Sequence, residues 1–114
     1  MSSQQHEIAD GTLVVRTTRN GGSNTVALCG ELDLANASTA ETALEASLGD
    51  DGMPVIVDMR ELEFIDSTGI ALLVSALSHN QDEARIRFIP SAAPAVTRVL
   101  ELTGLAERLP LADA

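Results

Sequence analysis

Hydrophobic residues occur along this chain in short runs and in helical stripes, which predict strands that alternate with helices. Residues 55–57 form an apolar run that is too short for a helix and is typical of a buried strand. Further on, apolar residues recur at the i, i+3, i+4 and i+7 spacing of a helix that lies on a sheet, namely Ile70, Leu73, Val74 and Leu77. The rest of the chain is predicted to be arranged around this strand and helix.

Two further apolar segments, residues 12–17 and 25–29, also have the composition of strands. The Asn-Gly-Gly sequence at 20–22 lies between them and is a turn signal, so these strands are predicted to form an antiparallel hairpin. A helix is then predicted from about residue 36 to residue 48.

Near the C-terminus, residues 85–89 alternate like a strand, and Ser91 can begin a last helix because serine is favoured as an N-cap. The predicted order is therefore β-β-α-β-α-β-α, which is typical of an α/β fold with a mostly parallel sheet and one antiparallel strand. The polar residues 1–10 are predicted to be a flexible N-terminal tail, which leaves a single domain over residues 11–111.

The charge of the chain excludes several classes of function. Seven basic residues, all of them arginine, stand against seventeen acidic residues, which gives a net charge of −10. A chain this acidic is predicted to be repelled by nucleic acid and by anionic membrane surfaces. Because the sequence has no lysine, phosphate-binding, Schiff-base and general-base lysines are excluded as well.

The predicted location is the cytoplasm. No run approaches the roughly 18 consecutive apolar residues of a membrane-spanning helix. The N-terminal residues have neither the basic start nor the apolar core of a secretory signal. Cys29 is the single cysteine and cannot form a disulfide within the chain, which is typical of a reducing compartment.

Acidic and hydroxyl side chains are predicted to meet at one rim of the sheet. If the strands at 25–29 and 55–59 are parallel, the loops at their carboxyl ends lie side by side. The first of these loops contains Glu31 and Asp33, and the second leads into the next helix at Ser67. Open α/β sheets place functional groups at strand ends of this kind.

Two interpretations of Ser67 follow from its position at the start of a helix. In the first, Asp66 or Ser67 is only the N-cap, which stabilises the helix by about 1 kcal/mol. In the second, Ser67 is an exposed phosphorylation site, because the N–H groups and the dipole of a helix N-terminus tolerate an anion. A phosphate would add about −1.5 to −2 charges to an acidic rim and so change the surface that a partner meets. Thr68, inside the first turn, is a less open acceptor.

Metal binding and catalysis have weaker support from the same residues. Asp33, Asp58 and Asp66 could suggest a metal site, but no histidine or cysteine joins them, and solvated carboxylates are the favoured interpretation. A hydrolytic Ser67 would need a base, whereas His6 lies in the predicted tail and no G-x-S-x-G sequence is present. No catalytic residue, metal or cofactor is therefore predicted.

Three blocks of sequence carry a family resemblance. The blocks are G-E-L-D-L-A-N-A at 30–37, V-I-V-D-M-R-E-L-E-F-I-D-S-T-G-I-A-L-L at 55–73 and S-A-A-P-A-V-T-R-V-L-E-L-T-G-L at 91–105. Together they resemble the bacterial anti-sigma-factor antagonists, which are single-domain STAS proteins, and the match runs in order from residue 12 to about residue 110. One departure is Ala71, which stands where the family often has a second glycine.

The resemblance implies a mechanism in which the unphosphorylated antagonist binds an anti-sigma factor and so releases a sigma factor. The anti-sigma factor is also a serine kinase and phosphorylates the residue that matches Ser67. The antagonist then dissociates, and a serine phosphatase can restore it. Asp33 matches the family's acidic loop residue near that serine. The surface predicted to bind the partner comprises Glu31, Asp33, Asp66, Ser67, Thr68, Gly69, Leu72, Ser75 and Ala76.

Two alternatives belong to other classes of function. One is a scaffolding STAS domain, self-assembling or part of a lipid-transport complex, in which Ser67 is only a helix cap. Self-association that does not respond to substitution of Ser67 would favour it. The other is an enzyme or small-ligand binder that uses the acidic rim, and thermal stabilisation by nucleotide or divalent metal alone would favour that one.

Overall fold

A computed structural model describes residues 4–19, 21–49, 52–79 and 85–112. The elements are, in chain order, β1 (Gln4–Asp10), β2 (Leu13–Arg19), β3 (Asn24–Leu32), α1 (Ala37–Leu48), β4 (Val55–Asp58), β5 (Leu62–Ile65), α2 (Ser67–His79), β6 (Ile86–Ile89), α3 (Pro94–Leu102) and a short 3-10 helix (Leu105–Glu107). No helix within these ranges is long and apolar enough to cross a membrane.

The described strands form one mixed sheet in the order β1-β2-β3-β4-β6, and β5 pairs with β3 outside this order. β2 is antiparallel to both β1 and β3, whereas the pairs β3–β4, β3–β5 and β4–β6 are parallel. Among the described strands, β2 therefore runs opposite to all the others. The predicted α/β fold with a mostly parallel sheet is confirmed.

Residues 4–10 form β1 rather than the predicted N-terminal tail, and residues 1–3 lie outside the described residues. β1 pairs with β2 along its whole length. The turn between them contains Gly11, whose φ of 62° lies in the left-handed region that glycine adopts readily. Asp10-Gly11 is a hairpin signal, but residues 4–10 have too few apolar side chains to indicate a strand by themselves.

A second strand for which the sequence gives no prediction, β5, lies between β4 and α2. The first part of β3 pairs with β4, and its last part pairs with β5. The register shifts between Gly30 and Glu31, where Gly30 has a φ of 100° and a side chain would collide with the backbone of Thr12. Leu32 then lies opposite Ile65. This pairing places the residues that follow Leu32 beside those that follow Ile65.

The core lies between the sheet and the helices, with α1 and α2 packed side by side and with α3 and the 3-10 helix adding Val96, Leu100 and Leu105. It is aliphatic apart from Phe88, and it includes Val26, Leu28 and Val57 from the strands and Ala40, Leu44, Leu73 and Ala76 from the helices. Burial of this apolar surface is the main driving force for folding. It also fixes α1 and α2 next to each other on the sheet.

The last helix begins later than Ser91 indicates. α3 starts at Pro94, and its N-cap is Ala93. The buried Ser91 hydroxyl accepts a hydrogen bond from the Ala93 N–H at 2.9 Å and donates one to the carbonyl oxygen of Leu62 at 2.7 Å. Ser91 therefore ties the entry of α3 to the start of β5, which only the tertiary structure shows.

Candidate protein-binding site at the start of α2

Asp66 joins the start of α2 to the loop that follows β3. Its Oδ1 atom accepts hydrogen bonds from the backbone N–H groups of Thr68 (2.9 Å) and Gly69 (3.1 Å). Backbone N–H groups in the first turn of a helix have no hydrogen-bond partner within that helix. Asp66 supplies one and therefore acts as the N-cap. Its Oδ2 atom accepts a hydrogen bond from the backbone N–H of Leu34 at 3.1 Å. The sequence leaves open whether Asp66 or Ser67 caps the helix, and in the structure the cap is Asp66.

Ser67 is the first residue of α2, and it is exposed. Its hydroxyl makes no hydrogen bond to any described residue, so the fold does not depend on it. The N–H groups of Thr68 and Gly69 are already bonded to Asp66. A phosphate on Ser67 would therefore lie beside the Asp66 carboxylate instead of replacing it, and would add to the negative charge of this surface.

The loop after β3 is held by Asn36, which is buried at 1% exposure. Its Oδ1 atom accepts a hydrogen bond from the N–H of Asp33 (2.9 Å), and its Nδ2 atom donates one to the carbonyl oxygen of Glu31 (3.0 Å). The Asp33 carboxylate accepts a further hydrogen bond from the N–H of Ala35 at 3.0 Å. These bonds fix the loop backbone and leave Leu34 with 77% of its surface exposed.

Leu34 and Asn36 are absent from the site predicted from the sequence. The i, i+3 spacing of Asp33 and Asn36 is typical of a turn held by its own side chains, and this signal could have identified Asn36. No comparable signal separates the exposed Leu34 from Leu32, which is fully buried. Both are leucines in the same acidic segment, and only the fold distinguishes them.

Gly69 is buried against the ends of β3 and β5. A Cβ atom built on it would lie 2.6 Å from Ile65 Cγ1 and 3.0 Å from Leu32 Cδ2. These distances are shorter than ordinary carbon contacts, so a glycine lets α2 begin close to the two strands. Gly69 positions the exposed Ser67 and offers no side chain of its own to a partner.

The predicted partner-binding residues divide into accessible and buried groups. Glu31, Ser67 and Ser75 are exposed, Asp33, Asp66 and Thr68 are half-buried, and Gly69, Leu72 and Ala76 are buried. Leu72 and Ala76, predicted from the sequence to belong to the partner-binding surface, are not accessible side chains of α2, because α1 packs against that side. Both residues instead line a groove between the two helices.

The carboxylates that suggested a metal site have other partners. Asp58 Oδ2 lies 2.8 Å from Arg60 Nη2, and the side-chain hydrogen bonds from Arg60 hold the pKa of the Asp58 carboxyl below its usual range. Asp66 caps α2, and Asp33 closes its own loop. In the part of the chain that the structure describes, no three His, Cys, Asp or Glu side chains are grouped to hold a metal ion.

Fold and site together define a class of protein: a small α/β domain in which an exposed serine begins a helix at the rim of the sheet, beside an acidic loop. The chain belongs to the STAS domain family, whose model matches residues 14–114. The STAS resemblance seen in the sequence is thereby confirmed.

Relatives and solved structures resemble the chain over most of its length. The anti-sigma-B factor antagonists of Listeria monocytogenes and Listeria innocua are each 26% identical over 80 residues, which are 70% of this chain and 70% of each relative. The crystal structure of an anti-sigma factor antagonist from Mycobacterium paratuberculosis gives a TM-score of 0.73 at 24% identity, covering 99% of this chain and 87% of that one. The anti-sigma factor antagonist SpoIIAA in its unphosphorylated form gives 0.65 at 18% identity, covering 98% and 89%. The two structural likenesses establish the fold.

Proposed function

We propose that this protein is an anti-sigma factor antagonist whose complex with an anti-sigma factor is broken by phosphorylation of Ser67. The observation that supports this proposal is that different residues cap α2 and present an exposed hydroxyl at its start. Asp66 supplies the cap, while the adjacent Ser67 hydroxyl is exposed and unneeded by the fold. The names of the Listeria relatives, which are anti-sigma-B factor antagonists, support the choice of partner.

The proposed switch is electrostatic. A phosphate on Ser67 adds about −1.5 to −2 charges next to Asp66 and close to the loop that carries Asp33. To reduce partner occupancy from about 90% to about 10% at constant partner concentration, the complex must become roughly 80-fold weaker, or about 2.6 kcal/mol. A charge placed within a closely packed or acidic interface can supply that difference without a change of fold.

The rest of the proposed cycle is the one that the resemblance to anti-sigma-factor antagonists implies. The anti-sigma factor acts as the serine kinase, so the antagonist is inactivated by the partner to which it binds. Binding of unphosphorylated protein releases the sigma factor, and a serine phosphatase returns the phosphorylated form to the active pool. The protein is a regulator and not an enzyme in this scheme, and it works in the cytoplasm, where sigma factors act.

The test combines site mapping with binding. Purified protein is incubated with ATP and each serine-kinase anti-sigma factor from its own cell, and the phosphate is located by mass spectrometry. We expect one phosphate on Ser67, no phosphate on the Ser67→Ala variant, and tight binding of that variant. Ser67→Asp is expected to bind much more weakly, whereas Ser78→Asp, the same charge change at an exposed position near the other end of α2, is expected to bind normally. Equal binding by Ser67→Asp and wild type would overturn the switch.

A further inference from the structure

A groove runs between α1 and α2, and its open end lies beside the phosphorylation site proposed for Ser67. It consists of two adjoining cavities of about 330 Å³ and 300 Å³, which share Glu41 and Leu72. The first cavity begins at Leu34 and Thr68, and the second ends at Gly49. α1 extends for 12 residues along the groove, which corresponds to roughly 18 Å of helix.

The floor of the groove is apolar and its two walls differ in character. Buried side chains form the floor, and they are Ala37, Leu44, Leu72 and Ala76. The α1 wall consists of Ser38, Glu41 and Glu45, at i, i+3 and i+7, and each of them is exposed. The α2 wall has the short side chains of Thr68, Ala71 and Ser75 at the same spacing. Because the α2 side chains are short and the α1 side chains are acidic and exposed, the apolar floor is accessible to a helix or other extended segment of a partner.

The charge of the groove has one sign. Glu41 and Glu45 are its charged residues, and no basic residue lines either cavity among the described residues. Neither glutamate forms an ion pair with another described residue. Their i, i+4 spacing matches that of basic side chains one turn apart on a facing helix, which lie about 5–6 Å from each other.

We propose that this groove is the docking site for an amphipathic helix of the anti-sigma factor, with apolar residues on the floor and Arg or Lys residues against Glu41 and Glu45. Helix-in-groove binding uses this combination of apolar anchors and rim charges. Leu34, exposed at the open end, gives the helix a further apolar contact. This proposal rests on the proposed function, and it adds that the part of the anti-sigma factor that binds here is a helix.

The groove also connects docking with the switch. Thr68 lines its open end and directly follows Ser67 in the first turn of α2. A helix that fills the groove therefore reaches the first turn of α2, which Ser67 begins. A phosphate there would take up space where that helix leaves the groove and would have to be desolvated in a closely packed interface, so it would weaken docking although the side chains against Glu41 and Glu45 are basic.

The test is the affinity of purified serine-kinase anti-sigma factors from the same cell for the double variant Glu41→Lys/Glu45→Lys. We expect binding at least tenfold weaker than wild type and a smaller dependence on salt, because the attraction between exposed charges is screened. Glu101→Lys/Glu107→Lys, an equal change of charge at exposed positions of α3 and the 3-10 helix after it, is expected to change affinity less than twofold. In hydrogen exchange, residues 37–48 should become protected in the complex.

The possible results separate the two proposals. If Ser67→Asp weakens binding, but Glu41→Lys/Glu45→Lys binds like wild type and residues 37–48 gain no protection, the groove proposal is overturned and the function stands. If the double variant weakens binding and Ser67→Asp does not, the groove stands without the switch. If no anti-sigma factor binds the wild type, both proposals are overturned. If wild type self-associates in sedimentation without any anti-sigma factor and the double variant does not, the groove binds a second copy of the chain and the helix proposal is overturned.

Discussion

The Asp66 carboxylate holds the backbone N–H of Leu34 at 3.1 Å, across 32 positions of sequence, while its other oxygen caps α2. One side chain thus sets the position of the loop after β3 relative to the helix that begins with Ser67. The loop and the helix start belong to different β-α units, and the parallel pairing of β3 with β5 brings them together.

The two carboxylate oxygens of Asp66 make this residue important for stability. We expect Asp66→Ala to lower the free energy of unfolding by about 1–2 kcal/mol, the usual cost of losing a helix cap. Ser67→Ala, at the adjacent position, should cost less than about 0.5 kcal/mol, because the hydroxyl has no described hydrogen-bond partner. Urea denaturation measures both values. Equal losses in the two variants would mean that the serine shares the cap.

Gly69 is predicted to be intolerant of even one added methyl group. In Gly69→Ala the new Cβ would meet Ile65 Cγ1 at 2.6 Å, so α2 must shift from the strands or distort the core. We expect the free energy of unfolding to fall by about 1–3 kcal/mol, as for other overpacked sites. Ala71→Ser is the control, since Ala71 is exposed two residues further along the same helix. Full stability of Gly69→Ala would show that α2 can move away at no cost.

Asp58 and Arg60 give a prediction about pH. Hydrogen bonds from Arg60 lower the pKa of the Asp58 carboxyl in the folded protein. A carboxyl of this kind stabilises the fold above its unfolded pKa of about 3.9, and the contribution disappears as the pH falls through the lower folded value. The stability difference between wild type and Asp58→Asn should therefore be largest near neutral pH and shrink below about pH 4.

Denaturation of both proteins between pH 3 and pH 7 measures this difference. The control is the same Asp58→Asn change in an Arg60→Gln background, where no guanidinium hydrogen-bonds to the carboxylate. There the pH-dependent part should become smaller, and what remains comes from the backbone N–H of residue 60, which also donates a hydrogen bond to the carboxylate at 3.0 Å. If it persists unchanged, the Arg60 guanidinium is not responsible for the lowered pKa.

The α/β class could be predicted from the sequence because apolar runs and helical stripes mark most of the elements. The helix predicted over residues 36–48 and the hairpin formed by β2 and β3 are both present. β1 and β5 could not be predicted, because their side-chain patterns do not indicate strands. They are strands because their backbones pair with β2 and β3. Periodicity also placed Val74 on the inner side of α2, where the structure leaves it 39% exposed.

The centre of the candidate site was predictable for a different reason. Asp66 and Ser67 fall where a strand's carboxyl end meets a helix, and local sequence indicates that junction. The walls of the groove were not predictable, because they come from two helices that are separate in sequence and packed by the core. Glu41 and Glu45, taken alone, have the pattern of an ordinary solvated helix face.

Leu34 is predicted to contribute to partner binding and not to folding. It is 77% exposed at the open end of the groove, and Leu102 on α3 is a matched control at 78% exposure. We expect both Leu34→Ala and Leu102→Ala to change the free energy of unfolding by less than about 0.5 kcal/mol. Burial of a leucine side chain in an interface stabilises a complex by about 1.5–3 kcal/mol, so Leu34→Ala should weaken anti-sigma factor binding by about tenfold or more. Leu102→Ala should bind like wild type, and equal affinities for the two variants would remove Leu34 from the interface.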